Sequence, residues 1–109
     1  MRRFARPGDV ALREGGEVGY IFEWDPVKAE KNVRKHAVTF DEATTVFGDL
    51  LNLLMVDPDH SRDEQRYLLF RMSNQRSLLV VAFAEQPPRT RLISARRATR
   101  QERRRYEED

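Results

Sequence analysis

Residues 78–83 read Leu78-Leu79-Val80-Val81-Ala82-Phe83, an apolar run with no polar interruption. A run of this length is strand-sized, and the lack of alternation suits a central strand covered on both faces. The rest of the fold is read outward from it. Pro87-Pro88 ends the strand, and Thr90 to Ala95 supplies the next. On the other side Ser73-Asn74-Gln75-Arg76 reads as a hairpin turn, with Glu64 to Met72 as its first strand. Leu50 to Val56 is another largely apolar run, whose length and preceding Gly48-Asp49 favour a strand. Tyr20 to Trp24 is an aromatic and β-branched strand.

Three helices carry start signals. Asp25 followed by Pro26 places a cap before a residue with no amide to lose, so the first helix runs from Pro26 to about His36. On 100° per residue Ala29, Val33 and Ala37 share one stripe, while Lys28, Lys31, Asn32 and Lys35 fall on another. Thr39-Phe40-Asp41-Glu42 is a capping box, followed by Phe40, Ala43, Val46 and Phe47 at helical spacing up to Gly48. Thr99-Arg100-Gln101-Glu102 is a second box and opens a C-terminal helix. The order β-α-α-β-β-β-β-α predicts an α+β domain. Its antiparallel sheet has about four strands, packed by two N-terminal helices and a C-terminal helix. Residues 1–18 are broken by Pro7, Gly8, Gly15 and Gly16 and read as a flexible arm; residues 19–109 form the domain.

Composition narrows the function. The chain has 109 residues and no cysteine, which removes disulfides, thiol nucleophiles and thiolate metal sites. No apolar run approaches the roughly 20 residues of a membrane span, and the arginine-bearing start lacks the apolar stretch of a secretory signal. A cytoplasmic protein is expected. Lysine occurs only at positions 28, 31 and 35; between Arg89 and Arg105 eight arginines stand against the single acid Glu102. Arginine fits phosphate bidentately, so RNA or an acidic protein segment is the expected partner.

Two clusters offer chemistry. His36 with Lys28, Lys31, Asn32 and Lys35 combines an acid–base group with cations for phosphate, although a solvated helix face has the same spacing. Asp57, Asp59, His60, Asp63 and Glu64 could ligate a divalent cation, but most clusters of this kind are hydrated turns. Arg96, Arg97 and Arg100 could bind phosphates. A phosphate-binding P-loop, a dinucleotide glycine motif, a serine-hydrolase elbow and a zinc spacing are all absent.

Three blocks then carry a resemblance. Trp24-Asp25-Pro26-x-Lys28-x-x-x-Asn32-x-x-Lys35-His36-x-Val38-x-Phe40-x-Glu42-Ala43 resembles the start of the BrnT toxin family. Asp57-x-x-His60-Ser61-x-x-Glu64-x-Arg66 is similar to its middle block, and Ile93-Ser94-Ala95-Arg96-x-Ala98-Thr99-x-x-Glu102-x-x-x-Tyr106 to its last. The resemblance implies a RelE-like fold and a metal-independent endoribonuclease that inhibits translation and growth. It implies a BrnA-type antitoxin, with operator DNA bound only through that antitoxin, and either a homodimer or a toxin–antitoxin heterotetramer. No cofactor and no metal are expected.

On this reading His36, Lys35, Lys28, Arg96 and Arg97 are the catalytic candidates. Lys31, Asn32, Arg66, Arg71 and Arg100 contact RNA, and His60, Glu64 and Tyr106 stand second. The family carries Gly where this chain has Ala37; Gly permits a left-handed helix end that alanine adopts at a cost. The alternative is a catalytically inert module that binds RNA or antitoxin with the same fold. Convergence of His36, Arg96 and Arg97 in one cleft discriminates between the two.

Overall fold

The computed structural model describes residues 11–15, 20–48, 53–56 and 65–108, with side chains over 21–47 and 65–107. The strands are β1 (Ala11–Gly15), β2 (Tyr20–Trp24), β3 (Leu53–Val56), β4 (Arg66–Met72), β5 (Leu78–Gln86) and β6 (Arg89–Arg97). The helices are α1 (Pro26–His36), α2 (Phe40–Thr44) and α3 (Arg100–Glu108), with a 3-10 turn at Thr45–Gly48. The α+β class and the three helix positions follow the sequence reading. The sheet departs from it.

Among the described residues six strands, not about four, lie in the order β1-β2-β6-β5-β4-β3. The sheet is mixed, because β2 pairs parallel with β6. The chain leaves β2 through two helices and returns beside it only after the β3-β4-β5 meander, by which point β6 runs in the same direction as β2. Local pattern carries no information on that return. β1 falls inside the stretch read as an arm and pairs antiparallel with β2. Among the described residues β1 is an outer strand of the sheet, with β2 as its neighbour.

β5 is central, as its composition dictates, and Leu78 to Ala84 are all buried. Leu79, Val81 and Phe83 face the main core with Phe22, Phe40, Val46, Phe47 and Leu92. Rings of Phe22 and Phe83 meet Phe47 edge-on, at centroid distances of 4.9 and 5.0 Å. Contacts of this kind contribute roughly 0.5–1.5 kcal/mol each beyond area burial. α1 and α2 cover this face. Leu78, Val80, Ala82 and Ala84 point to the opposite face, since side chains alternate along a strand.

α1 begins as its caps require: the Val27 N–H donates to Asp25 Oδ1 at 2.9 Å, and Pro26 occupies the first turn. It ends with Ala37 in the left-handed region at φ 58° and ψ 32°, its N–H donating to the Val33 carbonyl at 2.8 Å. The helix docks through its one buried residue, Asn32, and through half-buried Ala29, which packs against the core; Val33 and Ala37 of the expected stripe are exposed. Asn32 Nδ2 donates to the Val38 and Ala95 carbonyls at 3.0 and 2.8 Å, and the Ala95 N–H donates to Asn32 Oδ1 at 3.1 Å.

α2 is tied to the β4–β5 turn. Ser73 Oγ donates to buried Glu42 Oε2 at 2.6 Å and accepts from the Gln75 and Ser77 N–H groups at 3.2 and 3.3 Å. The Asn74 N–H donates to Thr45 Oγ1 at 3.0 Å. Among the described residues no helix is long and apolar enough to cross a membrane.

Candidate nucleic-acid interface

The register decides where the cations stand. In β6, Arg97 pairs with Leu79 and Arg96 with Val80. Leu79 belongs to the core under α1 and α2, so Arg97 lies on the helix side of the sheet and Arg96 on the other. α1 packs against β6 on the helix side, which carries His36, Lys35, Lys31 and Lys28 with it. His36, Arg96 and Arg97 therefore do not share one cleft, which by the criterion set above counts against an active site built from these three residues and in favour of the inert module.

The face away from α1 and α2 collects a different set. Arg66 of β4 pairs with Ala84 of β5, Ala84 with Arg91 of β6, and Arg91 with Glu23 of β2. One row along, Ala82 pairs with Ser94; two rows along, Val80 pairs with Arg96. The small side chains of Ala82 and Ala84 thus form a floor with Arg66 on one side and Arg91, Ser94 and Arg96 on the other. At the usual strand spacing Arg66 and Arg91 are about 10 Å apart at Cα.

A β-bulge makes this collection possible. Arg91 and Arg96 are an odd number of positions apart, and uniform alternation would send them to opposite faces. The ladder shifts register between Ala82, which pairs with Ser94, and Phe83, which pairs with Leu92. The extra residue, Ile93, returns Arg91 to the face of Arg96 while Leu92 stays in the core.

Acids steady part of the set. Arg89 Nη1 donates to Glu23 Oε1 at 3.1 Å, and the Glu23 side chain is only 5% exposed. Arg96 makes a two-point contact with Glu102, Nη1 to Oε1 at 2.8 Å and Nη2 to Oε2 at 3.0 Å. That hydrogen bonding holds the Glu102 carboxyl down at about 2, against the opposing pull of burial, with help from the Thr99 N–H. It raises the Arg96 guanidinium correspondingly. The Thr99 box is closed in both directions, which seats α3 beside the end of β6. Tyr106 stands one turn beyond Glu102 on the same side of α3; both are half-buried, while Arg103, Arg104 and Arg105 are exposed.

The remaining expected residues fall as follows. Asn32 is buried and its amide is committed to Val38 and Ala95, which corrects its reading as an RNA contact. Arg71 pairs with Leu79 and belongs to the helix side; Arg100 is exposed at the start of α3. His60, Glu64 and the rest of the Asp57–Glu64 cluster lie outside the described residues. Among the described residues no group of three or more His, Asp or Glu is placed to hold a metal ion. Sequence reasoning passed over Arg91, Ser94 and Glu102 as site residues. Strand alternation carried through residue 97 would have paired Ser94 with Arg96, but nothing local announces the bulge.

The arrangement suits phosphate. Arg66 and Arg96 are half-buried and can offer forked donors to an anionic backbone, while Arg91, Ala82 and Ala84 are buried. The family model described as the ribonuclease toxin BrnT of type II toxin–antitoxin systems matches residues 24–102. No curated protein matches the chain.

Proposed function

The chain belongs to the BrnT family of type II toxin–antitoxin ribonuclease toxins, and on that premise we propose that it cleaves RNA without a metal on the sheet face turned away from α1 and α2. The observation that carries this reading is the gathering of Arg66, Arg91 and Arg96 on one face around Ala82 and Ala84. Half-buried Arg66 and Arg96 hold the scissile phosphate and offset the charge that builds on its oxygens as the 2′-OH attacks. Arg91 is 4% exposed and supports that field from beneath. In such a cleavage the 2′ oxygen bonds to phosphorus, the bond to the 5′ oxygen breaks, a base takes the 2′-OH proton and an acid protonates the leaving oxygen. His36 stands on the helix side, so the proton carriers on this reading come from the second-ranked residues, of which Glu64 and His60 lie outside the described residues. Tyr106 is the third candidate.

His36, Lys28, Lys31, Lys35 and Arg97 sit on the helix side and form the rival surface, where RNA threading past α1 would be held. A type II toxin implies an antitoxin partner. The same proposal includes a BrnA-type antitoxin that supplies the operator-binding element, a RelE-like architecture, a toxin–antitoxin heterotetramer, and arrest of translation in the cytoplasm.

Cleavage of RNA by the purified chain in EDTA is the deciding experiment. Activity that disappears in EDTA and returns with Mg²⁺ or Mn²⁺ moves the chemistry to the Asp57–Glu64 cluster. No cleavage under any condition, with RNA still bound, leaves the inert module.

A further inference from the structure

Among the described residues, Arg96 is gripped at one end of its guanidinium. Its Nη1 and Nη2 donate to the two oxygens of Glu102 at 2.8 and 3.0 Å, and Nη1 also reaches the Arg97 carbonyl at 3.4 Å. Glu102 is itself fixed, since its Oε1 takes the Thr99 N–H at 2.8 Å and its own N–H donates to Thr99 Oγ1 at 3.1 Å. These bonds use the end of the guanidinium remote from Nε. A guanidinium has a second fork, made by Nε–H and the adjacent Nη2–H. Among the described residues that fork has no partner, and the side chain is 37% exposed.

We infer that Glu102 is a positioning residue for RNA: it holds Arg96 so that the open Nε/Nη2 fork faces outward and takes two oxygens of one backbone phosphate. The inference rests on reading the sheet face as the RNA surface. A loose surface arginine gives up most of its rotamer freedom on binding; here Glu102 has already removed it. Pure charge argues the other way. A carboxylate beside the site repels phosphate, so its removal by itself tightens RNA binding. Positioning and repulsion therefore predict opposite signs for one substitution.

The test is the affinity of the full chain for a single-stranded RNA oligonucleotide that is 2′-O-methylated throughout and cannot be cleaved, read by fluorescence anisotropy. E102A is expected to bind about 5-fold more weakly although it removes a negative charge, and R96A about 10-fold more weakly. E102Q keeps the size and one acceptor and is expected to fall between wild type and E102A. The double variant R96A/E102A is expected to bind no more weakly than R96A, because Glu102 acts through Arg96. T99A weakens the cap but leaves the Arg96–Glu102 pair, and is expected to stay within about 2-fold of wild type. Circular dichroism follows the helix content of each variant. Unchanged or tighter binding by E102A or E102Q overturns the inference. So do additive losses in the double variant, or a T99A loss as large as that of E102A, which would trace the effect to α3 itself. If R96A binds as wild type does, the RNA surface has been placed on the wrong face, and the inference falls with it.

Discussion

Arg91 and Arg96 belong to one strand, an odd number of residues apart, and still face the same side of the sheet because Ile93 is bulged out of the ladder between them. This relationship gathers the cations on the face that α1 and α2 leave uncovered. It also separates Arg96 from its chain neighbour Arg97 by the thickness of the sheet.

That separation gives a direct contrast in activity. Removal of one donor that stabilises charge in a transition state typically costs about 10²–10³ in kcat. R66A and R96A are each expected to lose RNA cleavage on this scale while remaining folded, R96A with a stability loss of roughly 1–2 kcal/mol from its pair with Glu102. H36A and R97A are expected to stay within about 3-fold of wild type. A larger loss in H36A than in R96A would move the reaction to the α1 surface.

Ala37 stores a small strain. Its φ of 58° and ψ of 32° place it in the left-handed region, where an alanine pays roughly 1–2 kcal/mol that glycine does not. Glycine returns part of this through its freer unfolded chain, about 0.4–1 kcal/mol. A37G is therefore expected to stabilise the domain by about 0.5–1 kcal/mol in urea melts. A destabilised A37G would show that the alanine methyl packs better than its exposed position indicates.

Asn32 is expected to behave as scaffold. Alanine there leaves both backbone groups of Ala95 and the Val38 carbonyl without their partner in a buried setting. The expected loss is about 2–4 kcal/mol of stability. RNA affinity, measured under conditions where the variant is folded, is expected to be unchanged. A stable N32A with weakened RNA binding would restore the residue to the interface.

The Arg96–Glu102 pair sets a pH window. In the folded protein the Glu102 carboxyl stays ionised down to about pH 2, whereas unfolding returns it to the ordinary value of 4.5. Its contribution is therefore fully present above about pH 5 and is lost as pH falls toward 2. The pair is partly exposed, so roughly 1–2 kcal/mol is expected and not the full value of the shift. Urea denaturation of wild type and E102Q across pH 2–7 checks this. The gap between them should close on acidification, and a constant gap would mean that the ion pair is not its source.

Much of this molecule is legible in its residues, and the failures have identifiable physical causes. Asp25-Pro26, Thr39-x-x-Glu42 and Thr99-x-x-Glu102 start helices where they should, because a cap is a local hydrogen bond. The apolar run at 78–83 is central for the same local reason. Helical spacing sorts Asn32 with the lysines without saying which face meets the sheet. Its partner Ala95 lies 63 residues away. A strand that ends at Ala95 leaves Arg96 and Arg97 together; β6 continues to Arg97, so they split between the two faces. The parallel β2–β6 pairing and the bulge depend on long-range registry, to which neither periodicity nor composition is sensitive.

The Glu42–Ser73 bond has a consequence for how the fold comes apart. The β4–β5 turn is fastened to α2 by a buried carboxylate and to the following 3-10 turn by Thr45. The hairpin that carries Arg66 and the alanine floor therefore cannot fray from its tip without unseating a helix on the other side of the sheet. Amide exchange at Gln75 and Ser77, a surface turn that would ordinarily exchange within the first time points, should report the opening of the whole helix–hairpin unit. In S73A the same amides should exchange orders of magnitude sooner, detaching a recognition surface from the element that keeps it in shape.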